Sequence, residues 1–467
     1  MIVAAAPSQK FETRLPAGQW RRDVALARGL LRCPGMKTPG MKAKAPCSVV
    51  IIAVVAASLS ACDGNSGGSS PVTVAQSSQP RDTAPIVAAA DASQLASDNR
   101  AFAVSLYQTL RASAGSDDNL VFSPTSISIA LAMLYNGAAT DTATAVATAL
   151  HFTLPVDRLN AAFDAVDLAL TTPPAGADAG TFQLSLADSL WAQQDLAISP
   201  PFLAALATDY GAGVNLVDFV KAPESARAAI NGWVSDETQG LIPMLLPMGS
   251  IETSMRLVLA NAVYFHGDWV TPFAAHSANG TFHAAAGDVS VPMMSGTGNG
   301  MVWSGSGWTA AALPYDGNTT AMYLVVPDSG TFASFEQGLT ADALATILAP
   351  TQQTSGAVSM PRFKFSLATS LANALSTLGM SVAFTPAADF SGIDGAHDLL
   401  VDDVIHQADI AVDEKGTTAA AATGVTIGTA SVELPLVVDR PFLFFIVHQP
   451  TSTLLFAGRV VDPTKVN

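Results

Sequence analysis

The side chains best suited to proton transfer near neutral pH are seven histidines: His151, His266, His276, His283, His397, His406 and His448. No two of them have the HExxH spacing that presents a zinc pair on one helix face, and no cysteine is available as a soft ligand. There is no GxSxG elbow to expose a serine nucleophile, and no P-loop. The glycine-rich run at 296–300 (GTGNG) leads into Met-Val-Trp instead of opening a helix, so it does not read as a phosphate cradle. The expectation is a chain that is not an enzyme and holds neither metal nor cofactor.

A different chemistry attaches to residues 412–430, VDEKGTTAAAATGVTIGTA, followed by Ser431. Alanine favours a helix, but Gly416, Gly424 and Gly428 with five threonines oppose a stable one. At a period of two, Thr417, Ala419, Ala421, Thr423, Val425 and Ile427 share one face, and Thr418, Ala420, Ala422, Gly424, Thr426 and Gly428 the other. Nothing after Lys415 is bulky or charged, and no proline interrupts. Composition leaves two readings open: a low-complexity linker, or a segment that lies exposed and can also slide between two strands.

The elements that would position this stretch come from a chain of 467 residues, 49% hydrophobic and 13% charged, which suffices to bury a large core. Residues 62–467 carry 13 basic and 36 acidic residues, a formal charge of -23 that excludes nucleic acid and disfavours anionic surfaces as partners. Met41, Lys42 and Lys44 precede an apolar run at 49–59, too short for an ordinary span, and small residues before Cys62 complete a secretory signal. The ending Leu59-Ser60-Ala61-Cys62 resembles the bacterial lipobox, which implies a lipid on Cys62 and an exported protein anchored to a bacterial membrane, on its periplasmic or cell-surface side. Residues 1–61 are then an upstream extension with the signal peptide, and 62–94, rich in Gly, Ser, Pro and Gln, reads as a flexible linker. The folded domain is expected over 95–467, without a disulfide because Cys33 and Cys47 leave with the leader.

Across that domain short motifs recur in a familiar order: NLVFSPTSI at 119–127, INGWVSDETQGLI at 230–242 and NAVYFHGDW at 261–269 with Pro272-Phe273. LPYDG at 313–317, MPRF at 360–363, VIHQA at 404–408, LVVDRPFLFFI at 436–446 and LFAGR at 455–459 continue it. In this order they resemble the serpins, the serine protease inhibitor superfamily, over about residues 95–465. The resemblance implies an α+β fold of one large domain, with three β-sheets, about eight or nine helices and an exposed reactive-centre loop.

It also implies roles. Glu414, Gly416, Thr417, Ala419, Ala420, Ala421 and Ala422 correspond to the hinge on which the loop enters the main sheet, with Thr418 standing where many members have Glu. Ser123, Ser126, Asn261 and His406 correspond to a hydrogen-bonded cluster where the central strands part, and Trp269 to the aromatic beneath the point of entry. Counting in from Glu414 and back from Pro441 by the usual loop length gives Ala430-Ser431 as the reactive bond, with Thr429 or Ile427 as neighbouring candidates. A small apolar residue at that bond suits an elastase-like pocket; a trypsin-like one needs a cation. The implied function is suicide-substrate inhibition by a monomer that forms a covalent complex with a serine protease. The alternative is a non-inhibitory serpin acting as a surface binding lipoprotein.

Overall fold

Side chains alternate along the strand Leu257–Asp268, and the two faces meet different cores. Leu257, Leu259, Val263 and Phe265 join the larger one, while Val258, Ala260 and Ala262 pack with Ile230 and Val234 of the helix Pro223–Glu237. The computed structural model describes residues 72–172, 181–274, 278–417 and 434–466, all within the unit Gly67–Asn467.

Leu257–Asp268 lies in a sheet of seven strands, ordered Thr73–Ala75, Val214–Val217, Phe182–Gln193, Leu257–Asp268, Gly416–Thr417, Asp403–Val412 and Phe363–Ser370. Its two long central strands also pair with each other directly, and in parallel, from Asp403–Val258 to Ala408–Val263. Their outer neighbours, Phe182–Gln193 and Phe363–Ser370, pair with them antiparallel. Parallel ladders are somewhat weaker per residue, so the middle of this sheet is its weak line.

The second sheet runs Leu120–Phe122, Thr453–Val460, Phe442–His448, Thr320–Pro327, Trp308–Pro314, Gly300–Gly305, Thr354–Pro361, Gly287–Ser295 and Ala278–Ala284, with Leu434–Val437 alongside Thr354–Pro361. Where the resemblance expects two smaller sheets, pairing of Thr354, Ser355 and Gly356 with Val302, Met301 and Gly300 joins them into one hydrogen-bonded path. Among the described residues there are ten α-helical segments, of which Ala372–Leu375 and Ser391–Asp394 are single turns.

The helix Pro124–Tyr135 is buried along nearly its whole length and explains the FSP motif. Ser123 is its N-cap, accepting from the Ser126 amide, and Pro124 occupies the first turn, where its missing N–H costs nothing. The boundary of the folded body differs from expectation. The segment read as a flexible linker over 62–94 holds the strand Thr73–Ala75, and the first long helix, Ala89–Ser113, begins before residue 95. Polar composition hides this because a three-residue strand draws its order from the edge it pairs with, not from its own side chains.

Candidate functional site

The stretch expected to be the hinge begins as a tight turn at the end of Asp403–Val412. The Asp413 amide donates to the Gly416 carbonyl at 2.9 Å, and its carboxylate accepts from the Lys415 and Gly416 amides at 2.8 and 3.3 Å. Glu414 is buried, pairs with the Arg362 guanidinium, and takes the Phe273 amide on its carbonyl at 2.8 Å. A Cβ on Gly416 would stand 2.0 Å from the Gly267 carbonyl oxygen, so only glycine passes that close to the neighbouring strand.

Thr417 is seated between the central strands. It pairs antiparallel with Gly267 on one side and with Val412 on the other, and is 1% exposed. Its hydroxyl meets the Tyr315 hydroxyl at 2.6 Å. Tyr315 stacks on Trp269, with ring centroids 4.5 Å apart and planes at 16°. The Trp269 indole N–H donates to the Asp413 carbonyl at 3.0 Å and its amide to the Lys415 carbonyl at 2.6 Å. Trp269 therefore holds the turn from below, at the place where the strand would lengthen.

The polar cluster lies eight residues down the same strand, about 26 Å away at a strand's rise, so Trp269 does not belong to it. His406 stands directly beside Asn261 across the parallel pair. The Ser123 amide donates to His406 Nε2 at 3.2 Å, which leaves the proton on Nδ1 to be donated to Asn261 Oδ1. The Asn261 amide group then donates to Ser126 Oγ at 2.7 Å and to Asp188, and the Ser126 hydroxyl donates to Asp188 Oδ1 at 2.8 Å. Burial pushes the His406 pKa down to about 3, so the ring is neutral. The same effect pushes Asp188 well above the ordinary carboxylate range, against the hydrogen bonds that favour its anion.

Ser123, Ser126, Asn261 and His406 thus come together, and Glu414, Gly416 and Thr417 lie in and just after the turn that Trp269 holds through the Asp413 and Lys415 carbonyls. Ala419, Ala420, Ala421, Ala422, Ala430, Ser431 and Cys62 lie outside the described residues. Asp188, Tyr315 and Arg362 were missed. The available signal for Asp188 was an acid inside the apolar strand run LADSLWA, in the register that puts it beside Asn261. Among the described residues no group of three or more His, Cys, Asp and Glu is placed to hold a metal.

The family model for Serpin (serine protease inhibitor) matches residues 97–463. The chain belongs to the serpin family. An uncharacterised serpin-like protein of Thermococcus kodakarensis is 35% identical over 368 residues, covering 78% of this chain and 84% of its own. The leukocyte elastase inhibitor of Bos taurus is 34% identical over 383 residues, covering 79% of this serpin and all of the relative. Among solved structures, uncleaved ovalbumin superposes with a TM-score of 0.72 at 26% identity, covering 79% of this chain and 100% of its own. Serpins are protease inhibitors and not catalytic enzymes, in keeping with relatives named as inhibitors.

Proposed function

We propose that this serpin inhibits an elastase-like serine protease by offering Ala430-Ser431 as a substrate bond and trapping the acyl-enzyme. The protease serine attacks the Ala430 carbonyl carbon, the bond to Ser431 breaks, and the departing amine takes up a proton while an ester holds Ala430 to the enzyme. The freed strand then extends from Thr417 into the main sheet. Thirteen residues from Thr417 would carry the ester about 40 Å, at ~3.3 Å each. At a net ~1 kcal/mol per hydrogen bond the new ladders contribute on the order of 10 kcal/mol.

The single observation that carries this reading is the seating of Thr417 in register with both central strands. Continued six residues, that register sets Thr423 opposite both Asn261 and His406, which now bond to each other. The entering strand must break that bond. A threonine hydroxyl can accept from His406 Nδ1 and donate to Asn261 Oδ1, so neither buried group is orphaned. An apolar residue there could do neither. Ala419, Ala421, Val425 and Ile427 meet the larger core on the same face, and the parallel weak line becomes two antiparallel ladders.

The likeness to a leukocyte elastase inhibitor and the small side chain of Ala430 support the choice of protease class. We further propose that the serpin is a monomeric bacterial lipoprotein, exported by its signal peptide and held to the membrane through Cys62. Cys62→Ser then moves the protein from the membrane fraction to the soluble one. For inhibition, the test is incubation with an elastase. A complex that survives denaturation, with a released fragment beginning at Ser431, is expected; clean turnover of the loop with no complex would refute it and favour a non-inhibitory binding role.

A further inference from the structure

The segment before the first long helix ties three parts of the molecule together. Thr73, Val74 and Ala75 pair antiparallel with Leu216, Asn215 and Val214, extending the main sheet at its outer edge. Six residues later Arg81 crosses to the helix Val156–Thr171, donating to Asp164 Oδ1 from Nε and Nη2 at 2.9 and 2.7 Å and to Asp167 Oδ2 at 2.6 Å. The Asp164 side chain is 1% exposed, so this is an ion pair with one end in the core. The next amide, that of Asp82, donates to the Thr208 carbonyl in the helix Pro200–Tyr210.

To admit a strand, Leu257–Asp268 and Asp403–Val412 must part, and where the Leu257–Asp268 side gives way, Phe182–Gln193 and Val214–Val217, paired in turn to it, move with it relative to the helices. The segment 73–82 is bonded to both the moving edge and the helices, with only residues 76–80 as slack. Lateral movement must stretch those five residues, unpair the edge strand, or pull Arg81 from a buried carboxylate.

We propose that Arg81 and the strand Thr73–Ala75 are positioning elements for loop insertion, a strap that holds the sheet closed and sets the rate at which it opens. This rests on the insertion reading above. The relation is kinetic: the strap resists the transit of the edge strand, not the final packing of the inserted loop.

Two full-chain variants release it by different routes. Arg81→Met removes the charge pairing, with Arg81→Lys as the conservative control. Gly213→Leu leaves every charge in place but puts a Cβ 2.7 Å from the Ala75 carbonyl oxygen, expelling the strand. The readouts are the rate at which the uncleaved chain converts at a fixed temperature to a urea-resistant form, and the rate at which a fluorophore on the loop reports insertion after cleavage. Both rates are expected to rise about tenfold or more in Arg81→Met and Gly213→Leu, with Arg81→Lys in between; tenfold corresponds to ~1.4 kcal/mol in the barrier. Rates within twofold of the parent, even with a lowered Tm, would reduce the strap to ordinary stabilisation and overturn the proposal. A parent chain that gains no heat stability when its loop is cut would instead remove the insertion reading, and the strap's role with it.

Discussion

His406 is neutral because the closed sheet gives its ring no water, and both ring nitrogens are spent on Ser123 and Asn261. Its folded-state pKa of about 3 lies below the ordinary 6.5, so the stability it contributes is full above about 6.5 and is lost as pH falls towards 3. Between pH 7.5 and 5, urea unfolding should show this loss at up to ~1.4 kcal/mol per pH unit below 6.5. Burial depresses His448 in the same direction, so the His406 share is isolated by comparison with His406→Gln, which should have the shallower slope. Asp188 has the opposite sign: its raised pKa favours the folded state at low pH and costs stability as the carboxyl ionises. Asp188→Asn keeps an acceptor for Ser126 and Asn261 without the charge, and should stabilise the native state by about 1 kcal/mol in urea unfolding at pH 7.5, which is only ~1 °C in Tm for a domain of this size. At Thr423 the expected effect lies in the inserted form. Thr423→Val should leave native unfolding unchanged and destabilise the loop-cleaved protein by about 1–3 kcal/mol, through the unpartnered groups on Asn261 and His406.

At the scale of elements, the hinge and its socket fit before any loop moves. Gly416 runs against Gly267, and Thr417 fills the space over Tyr315, which stacks on Trp269. Thr417→Arg would need a guanidinium buried where a hydroxyl now meets another hydroxyl. It should turn the serpin largely into a substrate, raising the number of inhibitor molecules cut per protease trapped by about tenfold or more. Titration of a fixed amount of elastase measures that ratio; an unchanged ratio would mean the hinge does not enter here. These elements were legible to different degrees. Ser123 and Pro124 announce a capped helix, and the alternation after Gly416 announces a segment that can be a strand, because both are local properties. The strand Thr73–Ala75 was hidden because its order comes from an edge some 140 residues away. Asp188 was hidden because a lone acid in a strand has meaning only once its neighbour across the ladder is known.

Over the whole molecule, the same sheet that packs two cores keeps a parallel seam at its centre while the pairs on either flank of the two seam strands are antiparallel. The antiparallel solution is available in the same chain, beyond Thr417. On the proposed insertion, a strap of 73–82 at one edge and a hydrogen-bonded cluster at the seam would keep the two apart until the loop is cut. The chain enters this sheet at the end away from Trp269, since Thr73 lies beside Leu216, which neighbours Ala192 and through it Leu257. Insertion would carry a trapped protease towards that same end. The resemblance in the short motifs was enough to anticipate this architecture, while the joining of the two smaller sheets through Thr354–Gly356 depends on a register that motifs do not encode. The central claim, that the sheet accepts its own loop as a strand, is tested most directly by melting the protein before and after a single cleavage in the loop. The account predicts that the cleaved chain melts about 10 °C higher, because ~10 kcal/mol of new pairing is spread over the large unfolding entropy of a domain of this size. A cleaved chain that melts at or below the temperature of the intact one would contradict it.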